Sequence, residues 1–583
     1  MEFLRTPTLV HHLRSQAEST PHRIIFRFPD QDGAHATLSY AQIDLAARRL
    51  AVHLQSLGMA GERAVLMHAP GPDYVLALLG CFYAGVVAVP AYPPRFNRPM
   101  ERLRDLVMDA DARLALTTDA ALKRMQPHLE NGNGMSGLNW LATDLLPNDI
   151  AADDWRQPDI NSESLALLQY TSGSTSSPKG VMITHACFRN NVSSMARALS
   201  ATADDRMVTW LPPYHDMGLV GGLLGSLFLG IETVVLTPTT FLQRPLRWLS
   251  AIDEHRATIS GGPNFGYELC VRRITASQCE QLDLSSWRVA FCGAERVRAT
   301  TLHQFAKHFS VSGFKPQAFA PCYGLAEATL AVSFGTGAVQ YADAESHQPV
   351  GNVAITEEVS QSLLVSCGRV VPDVHVQVVD TQTLQPVAEG QVGELWIQSN
   401  ALAAGYWNKP ELSTEVFKAH LAGDKTRAYL RSGDLGFLQQ GELHVLGRLK
   451  DLIIIRGVNV YPEDIEALVE RIDDGLRPAG AVAFSVDRDD EEQLVVVQEL
   501  NPGVKDMNFA EVTNRIRSVI SEVMQLSVQQ VLLVAPGVVP RTSSGKVQRR
   551  RCRELYLAQQ LEAVHDSGPQ SSALAAANPE LIN

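Results

Sequence analysis

The N-terminal half of this 583-residue chain alternates between helical and strand patterns, and this alternation restricts its fold more than any other feature. Apolar residues in 40–58 recur at helical spacing, and Gly58 closes the segment. Residues 64–67 form a short apolar run typical of a strand, and residues 74–84 show a second helical pattern. Strands that alternate with helices build layered domains with largely parallel sheets. The sequence therefore predicts an α/β fold here.

The pattern changes towards the C-terminus, and a chain of this length is too long for a single core. Residues 393–447 contain short strands and turns that indicate a β-rich subdomain. We place the main boundary after residue 449. Residues 450–560 then form a small α+β domain, in which a helix begins at Pro462. Residues 561–583 are small and polar and are predicted to be a disordered tail.

Composition excludes several classes of function and location. The formal net charge is -13, which disfavours binding to nucleic acid or to an anionic membrane. The eight cysteines show no paired ligand spacing, as expected for reduced thiols of a cytoplasmic protein. The first 20 residues lack the unbroken apolar stretch of a signal peptide. The most apolar run, residues 219–231, is too short to span a bilayer, so no membrane span is expected.

A loop rich in glycine and hydroxyl groups follows a predicted buried strand at residues 165–170. Its amides and hydroxyls could surround phosphate oxygens while a lysine supplies counter-charge. The lysine precedes Gly180, so the loop is not of the Walker type. On composition alone, a Ser/Gly-rich surface loop is an equal alternative. The candidate phosphate-binding residues are Thr171, Ser172, Gly173, Ser174, Thr175, Lys179 and Gly180.

More than 350 residues beyond this loop, Lys546 lies in the run PRTSSGKVQRR. Together the two segments resemble the adenylate-forming enzymes, which activate carboxylic acids with ATP, and the chain is most similar to the fatty acyl-AMP ligases among them. The resemblance implies a large N-terminal domain of layered α/β subdomains plus the β-rich subdomain. It also implies that the α+β C-terminal domain is mobile, that Lys546 is catalytic, and that Lys450 and Asp451 form the hinge.

Three further runs match the nucleotide-binding segments of that family in order. The resemblance implies that Tyr323 stacks on adenine, Glu327 is catalytic and holds Mg²⁺, and Asp434 accepts hydrogen bonds from the ribose hydroxyls. Taken singly, each signal is weak, because an aspartate after glycine is usually part of a turn. The residues assigned in this way to ATP or AMP binding are Gly293, Ala294, Glu295, Cys322, Tyr323, Gly324, Leu325, Ala326, Asp434 and Arg448.

The residues that bind the carboxylic acid substrate are inferred from two runs, LPPYHDMGLVGG and SGGPNFGYELC. His215 stands where amino-acid-activating relatives place an aspartate, which implies a catalytic role and a plain carboxylic acid as substrate. A structural histidine is the alternative. Gly261, Gly262 and Gly266 are expected to leave room for an alkyl chain, in which each buried methylene contributes about 0.8 kcal/mol. The implied acyl-binding residues are His215, Asp216, Met217, Gly262, Asn264, Phe265 and Tyr267.

Residues 335–367 are longer than the matching segment of acyl-CoA ligases and contain no lysine or arginine. Fatty acyl-AMP ligases carry an insertion here that disfavours CoA; a tolerated surface loop is the alternative. The predicted reaction is ATP-dependent activation of a medium- or long-chain fatty acid, followed by acyl transfer to the phosphopantetheine thiol of a holo acyl carrier protein. A fatty-acyl-CoA ligase of the same fold, or a non-catalytic nucleotide- or lipid-binding protein, remain as alternatives.

Overall fold

In the computed structural model, the described residues are 6–29, 35–93, 100–129, 137–147, 149–170, 178–344, 346–350, 362–455, 458–488, 491–504, 507–542 and 545–568. They form two compact units, an N-terminal unit up to Val445 and a C-terminal unit from Leu446 onward. The predicted boundary after residue 449 lies close to this division and remains our proposed domain boundary.

The N-terminal unit contains thirteen α-helices within the described residues. They are α1 (Leu9–Ser19), α2 (Tyr40–Ser56), α3 (Pro72–Ala84), α4 (Glu101–Asp109), α5 (Asp119–Leu129), α6 (His185–Leu199), α7 (Gly225–Leu229), α8 (Pro238–Gln243), α9 (Leu246–Glu254), α10 (Asn264–Arg273), α11 (Ala276–Cys279), α12 (Ala299–His308) and α13 (Pro410–Phe417).

Strands up to the unit boundary are β1 (Ile24–Pro29), β2 (His35–Ser39), β3 (Arg63–Leu66), β4 (Val87–Pro90), β5 (Leu114–Thr117), β6 (Asn139–Ala142), β7 (Leu165–Tyr170), β8 (Gly180–Thr184), β9 (Arg206–Thr209), β10 (Glu232–Val235), β11 (Ile259–Gly262), β12 (Val289–Cys292), β13 (Phe319–Gly324), β14 (Ala331–Phe334), β15 (Tyr341–Asp343), β16 (Pro349–Val350), β17 (Leu363–Val365), β18 (Arg369–Val370), β19 (Val374–Val379), β20 (Gly393–Ser399), β21 (Ala419–Leu421), β22 (Asp424–Gln439) and β23 (Glu442–Arg448).

Two sheets carry the N-terminal unit. A six-stranded sheet has the order β6-β5-β3-β4-β7-β8 and is parallel except for the β7–β8 pair. The larger sheet has fourteen strands in the order β19-β20-β22-β23-β18-β14-β13-β12-β11-β9-β10-β1-β2, with β21 on β22. Its segment from β13 to β1 is parallel. Its other half, from β14 to β19, contains antiparallel pairs; it includes β20 and β22 of the β-rich region predicted for residues 393–447, and it also includes β14, β18 and β19, which lie before that region.

A cluster of large aromatic side chains forms the core beneath the parallel strands. Trp248, Tyr267, Trp287 and Phe305 are fully buried there, with their rings packed edge to face. Such pairs stabilise beyond the apolar area they remove from water. This core fixes the carboxyl ends of β9, β11, β12 and β13, where the candidate site residues follow.

The insertion at residues 335–367 folds onto the N-terminal unit where it is described. Strands β16, β15 and β17 form a small antiparallel sheet. Leu364 of β17 pairs with Arg298, which follows the candidate nucleotide-binding residues 293–295. Val365 is buried in the aromatic core beneath the parallel strands. Residues 345 and 351–361 of this segment lie outside the described residues.

The C-terminal unit is an α+β domain. Its strands are β24 (Ile453–Ile455), β25 (Val458–Val460), β26 (Leu476–Arg488), β27 (Glu491–Leu500), β28 (Val528–Val534) and β29 (Ala563–Asp566). The first two form a hairpin, and the other four form one sheet in chain order. Its α-helices are α14 (Pro462–Val469), α15 (Phe509–Met524) and α16 (Arg549–Leu557). As predicted, α14 begins at Pro462, with Glu463 and Asp464 in its first turn.

The predicted disordered tail differs from the structure. Strand β29 lies within residues 561–583 and pairs antiparallel with β28, so the tail prediction was wrong for this segment. The error arose because β29 has only four residues, too few for a clear strand pattern, and pairing with β28 supplies its backbone partners. Residues 569–583 lie outside the described part of the chain.

The apolar run at residues 219–231 lies inside the N-terminal unit. A π-helix over Met217–Leu224 continues into α7, and nearly all of its side chains are buried. Among the described residues, no helix combines the length and hydropathy needed to cross a bilayer.

Candidate functional site

The nucleotide-binding candidates follow neighbouring parallel strands. Gly293, Ala294 and Glu295 come directly after β12, and Tyr323 lies near the end of β13, with which β12 pairs in parallel. Carboxyl ends of adjacent parallel strands meet at one edge of a sheet, where open α/β sheets bind their ligands. The sheet thereby brings together two runs that lie about 30 residues apart in the sequence.

Glycine is required at the first of these positions. A Cβ at Gly293 would lie 2.6 Å from Sγ and 2.7 Å from the carbonyl oxygen of Cys322. Ala294, which follows, has a φ of 67°, in the left-handed region that non-glycine residues rarely adopt. Strain of this kind is found at functional sites, where the surrounding structure holds it. The turn after β12 thus packs directly against Cys322, the residue that precedes Tyr323.

Tyr323 and Asp434 are in direct contact. The phenol oxygen of Tyr323 donates a 2.6 Å hydrogen bond to Oδ2 of Asp434, although 111 residues separate them. Asp434 lies on β22 of the β-rich half, and its amide donates to Oγ of Ser432. The structure therefore places the candidate adenine-stacking residue and the candidate ribose-binding carboxylate side by side, half-buried.

Glu327 is oriented by two long-range hydrogen bonds. Its Oε1 accepts from the phenol of Tyr406 at 2.8 Å, and its carbonyl oxygen accepts from the amide of Ala403 at 2.9 Å. It lies in a short 3₁₀ helix, Ala326–Ala328, that ends at Thr329 with a φ of 67°. The carboxylate is thus held by residues from a distant segment.

Lys179 meets the same tyrosine. Its Nζ lies 5.2 Å from the centroid of the Tyr406 ring, within the range of a cation–π interaction. Backbone pairing holds this arrangement, because the Trp407 amide donates to the Gly180 carbonyl at 2.8 Å and the Met182 amide donates to the Gly405 carbonyl at 2.9 Å. Thr171, Ser172, Gly173, Ser174 and Thr175 lie outside the described residues.

Tyr406 is the functional candidate that sequence reasoning missed. The run ALAAGYWN around it contains small and aromatic residues and no charge, so nothing in its local pattern points to phosphate or metal chemistry. The one sequence feature that could have pointed to Tyr406 as a site residue was its position shortly after β20, a strand of the β-rich subdomain.

His215 and Asp216 precede the π-helix. Nδ1 of His215 lies 2.6 Å from Oδ1 of Asp216, which also accepts from the Met217 amide at 2.7 Å. π-Helical turns are rare and occur frequently at functional sites. Both side chains keep some exposure, at 20% and 14%, so His215 can reach a ligand in a way that a core histidine could not.

The candidate acyl-binding residues of α10 fall into two groups. Phe265 is half-buried, and its amide donates a 2.7 Å hydrogen bond to Oε1 of Glu295, which joins the acyl segment to the nucleotide segment. Tyr267 is fully buried, and its phenol donates to the Phe291 carbonyl at 2.8 Å. Burial raises the pKa of this phenol well above its usual value. Tyr267 therefore supports the segment from the core rather than lining it.

Asn264 is likewise occupied by the protein itself. Its Nδ2 donates to Glu268 and Thr301, and its Oδ1 accepts from the Arg298 amide. These bonds position α10 against α12 and leave the amide fixed. The space expected beside Gly262 and Gly266 also differs from the sequence interpretation, because the indole of Trp210 fills it.

In the C-terminal unit, Lys546 lies three residues before α16 and is bonded through its backbone to Thr542. The Thr542 amide donates to the Lys546 carbonyl at 2.7 Å, and the Lys546 amide donates to Oγ1 of Thr542 at 3.0 Å. Arg448, at the end of β23, is exposed. The candidate hinge residues Lys450 and Asp451 lie in a 3₁₀ helix that immediately follows it.

An arginine ties the candidate hinge to the segment that carries Lys546. Arg549 donates to Asp451 at 2.9 Å and to Glu466 at 3.0 Å, and it also contacts Glu463. Burial opposes the charge on Arg549, but these three carboxylates together raise its pKa. Burial raises the pKa of Glu466 despite its contact with Arg549.

Comparison with known proteins identifies the family of this chain. The AMP-binding enzyme family matches residues 13–407, and residues 450–566 match the AMP domain of the Disco-interacting protein 2-like family. A medium-chain-fatty-acid–[acyl-carrier-protein] ligase, JamA of Moorena producens (strain JHB), is 42% identical over 89% of this chain and 90% of its own. The long-chain-fatty-acid–AMP ligase FadD32 of Mycolicibacterium smegmatis (strain ATCC 700084 / mc(2)155) is 33% identical over 97% and 96%.

Among solved structures, a fatty acyl-adenylate ligase from Legionella pneumophila, in complex with acyl adenylate and pyrophosphate, matches with a TM-score of 0.74. It is 36% identical, and the match covers 97% of this chain and 98% of that one. These matches extend over both units and confirm the predicted fold class. The chain belongs to the fatty acyl-AMP ligases, a group of adenylate-forming enzymes within the AMP-binding family.

Proposed function

We propose that this enzyme joins a medium- or long-chain fatty acid to ATP, forming a fatty acyl-adenylate and pyrophosphate, and then passes the acyl group to the phosphopantetheine thiol of a holo acyl carrier protein. The observation that carries the first step is the meeting of Lys179 and Glu327 at Tyr406. One tyrosine therefore contacts both a cation and a carboxylate, and such a pair of charges is suited to binding a polyphosphate together with Mg²⁺.

In the first step, a carboxylate oxygen of the fatty acid attacks the α-phosphorus of ATP. The bond from that phosphorus to the bridging oxygen breaks, and pyrophosphate leaves with the electron pair. Such phosphoryl chemistry depends on positioning and charge neutralisation rather than on covalent catalysis. Tyr323 and Asp434 hold the nucleoside, Lys179 lies against the phosphates, and Lys546 supplies positive charge to the reacting oxygens.

Mg²⁺ fits the donor set offered by Glu327. A carboxylate is the hard oxygen ligand that Mg²⁺ prefers, usually one or two per site alongside phosphate oxygens. The hydrogen bond from Tyr406 fixes the orientation of the carboxylate before any ion arrives. When bound, Mg²⁺ supplies positive charge to the phosphates of ATP.

His215 and Asp216 select the acid. In this proposal, His215 faces the substrate carboxylate. Unlike an aspartate at this position, it carries no negative charge that would pair with an ammonium group, so a plain carboxylic acid is accepted. Asp216 holds the imidazole through its 2.6 Å contact with Nδ1.

In the second step, the thiol sulfur attacks the acyl carbonyl carbon and releases its proton to solvent. The bond from that carbon to the phosphate oxygen of the mixed anhydride breaks, and AMP leaves with the electron pair. Lys450 and Asp451 serve as the hinge between the two half-reactions. The carrier-protein acceptor is supported by JamA, named as an acyl-carrier-protein ligase, and by the absence of lysine and arginine from residues 335–367. A cytoplasmic location is part of the proposal and agrees with eight free cysteines.

The test is an assay of the purified protein with ATP, Mg²⁺ and a panel of saturated fatty acids. Acid-dependent pyrophosphate release, with acyl-adenylate accumulating when no thiol is present, is the expected result. Acyl transfer to a holo acyl carrier protein should then exceed transfer to CoA, with the apo carrier protein as the matched control. Pyrophosphate release that does not depend on the acid would refute the first step, and faster transfer to CoA would refute the second.

A further inference from the structure

Trp210 fills the space beside Gly262 and Gly266, where room for an alkyl chain was expected. It follows β9 directly, and β9 pairs in parallel with β11, with Met207 opposite Ile259 and Val208 opposite Ser260. Continuing that register brings Trp210 opposite Gly262, at the carboxyl edge of the sheet that carries the nucleotide residues two strands away. An adenylate over β12 and β13 would therefore extend its acyl group over β11 and β9.

The indole is packed directly on two glycines. A Cβ at Gly262 would lie 2.5 Å from Cζ2 of Trp210, and a Cβ at Gly266 would lie 2.9 Å from the same atom. Any larger residue at these positions would collide with the ring. The small residues thus make space that is filled by a side chain of the protein.

Other aromatic residues complete a wall around this indole. Phe241 stacks on Trp210 with ring centroids 3.8 Å apart, and Phe265 meets it edge to face at 5.9 Å. Phe265 also donates its amide to Glu295 of the nucleotide segment, so the wall is connected to the adenylate-binding turn. Trp210 itself is only 2% exposed.

The polar atom of Trp210 distinguishes it from the neighbouring core tryptophans. Nε1 of Trp248 donates to Oγ of Ser260 at 2.8 Å, and Nε1 of Trp287 donates to the Val289 carbonyl at 2.9 Å. Nε1 of Trp210 is buried and has no acceptor in the part of the chain that the structure describes. Buried tryptophans usually find a partner. Its position is therefore set by packing against Gly262, Gly266 and Phe241, and no hydrogen bond retains it.

We propose that Trp210 closes the acyl end of the site and sets the longest fatty acid that this enzyme adenylates. The proposal rests on the proposed function, because it assigns the limit of the same acyl site. Each methylene that still fits should raise kcat/KM about fourfold, and the first methylene that meets the indole should end that increase.

The experiment compares Trp210→Leu and Trp210→Phe with the wild type across a series of saturated acids, by pyrophosphate release. We expect the chain length of maximal kcat/KM to increase by about two to four methylenes in Trp210→Leu and by less in Trp210→Phe, because the volume removed is smaller. Trp155→Leu is the matched control, since Trp155 packs on Tyr83 outside the site. The dependence of kcat/KM on chain length in this control should equal that of the wild type.

A purely structural role for Trp210 predicts a different result. Both variants would then lose kcat/KM by one common factor for every acid, and the optimal chain length would not move. That outcome, in variants whose thermal melts show a folded protein, would overturn the inference. If the wild type itself releases no pyrophosphate with any acid, the proposed function fails instead. The two failures are therefore distinguishable.

Discussion

The phenol oxygen of Tyr406 donates a 2.8 Å hydrogen bond to Oε1 of Glu327, although 79 residues separate the two. The same ring lies against the ammonium of Lys179. Tyr406 thus links the loop that precedes β8 with the 3₁₀ helix that carries Glu327. In a site that works by charge placement, this link fixes a cation and a carboxylate relative to each other before ATP binds.

Replacing Tyr406 with phenylalanine should therefore impair adenylation more than folding. The ring and its contact with Lys179 remain, but Glu327 loses the donor that orients it. A hydrogen bond to a charged group is worth about 1.5–3 kcal/mol, so kcat for pyrophosphate release should fall by roughly 10- to 100-fold. The Mg²⁺ concentration needed for half-maximal rate should also rise.

Tyr83→Phe provides the matched control for this loss. It removes a buried phenol that donates to Asp44 at 3.0 Å, a tyrosine–carboxylate bond far along the chain from the site. This control should lower the thermal midpoint while leaving the Mg²⁺ dependence unchanged. Equal kinetic effects of the two variants would contradict a positioning role for Tyr406.

Lys546→Ala tests the cation assigned to the C-terminal unit. The backbone bonds between Thr542 and Lys546 do not involve the side chain that is removed, so the loop should persist. We expect pyrophosphate release to fall about 100-fold or more, as is common when one electrostatic contact to a transition state is lost. ATP affinity, measured by calorimetry, should change little. Lys123→Ala, at an exposed lysine paired with Asp119, should leave both quantities unchanged.

Arg549→Ala should destabilise the C-terminal unit. The side chain is 11% exposed and contacts three carboxylates, so its removal leaves Asp451, Glu463 and Glu466 facing one another without a counter-ion. Breaking a buried ion pair from one side costs about 3–5 kcal/mol. Faster amide hydrogen exchange in β26 and β27 would report the loss.

Arg550→Ala is the control for that experiment. Arg550 is 53% exposed and pairs with Glu554 one helical turn away. Exposed pairs of this kind contribute about 0.3–0.5 kcal/mol, so exchange in the same strands should barely change. A similar increase in exchange for both arginines would show that burial of the Arg549 cluster does not stabilise the unit.

Stability of the N-terminal unit should decrease below neutral pH. Burial lowers the pKa of His68 and of His444 from 6.5 to about 4. Both are then neutral in the folded state, while the unfolded chain takes up their protons near pH 6.5. Their contribution to stability is present above pH 6.5 and is lost as the pH falls through 4, by at most about 3 kcal/mol for each residue.

The measurement is the thermal midpoint as a function of pH between 7.5 and 4.5. His444→Gln, which removes one such group where it stacks on Phe437, should flatten the curve. His375→Gln, at an exposed histidine, should leave the slope as it is in the wild type. A slope in His444→Gln as steep as that of the wild type would show that His444 does not titrate on unfolding.

Local patterns were sufficient to predict much of the fold. Helices α2 and α3 and strand β7 occur where their apolar patterns placed them. These elements depend on side chains within a few residues of one another. Strand β29 was missed because its stability depends on β28, about 30 residues earlier, and its own four residues are too few for a clear strand pattern.

For the site, the sequence supplied the chemical groups and the tertiary structure supplied their neighbours. Glu327, Asp434 and Lys546 could be singled out because the runs that contain them resemble those of the fatty acyl-AMP ligases. Lys179 could be singled out because it follows a loop rich in glycine and hydroxyl groups. Tyr406 could not, since a tyrosine in an uncharged run acquires a role only when the fold places Glu327 and Lys179 beside it.

Gly262 and Gly266 also separate what the sequence determined from what the tertiary structure determined. The sequence alone established that small residues stand at 262 and 266, which indicates that something must approach the backbone closely there. Only the folded chain decided that the approaching group is the indole of Trp210, because parallel pairing of β9 with β11 brings together residues 52 positions apart. Strand register is a long-range property of packing, and no local pattern around either segment encodes it.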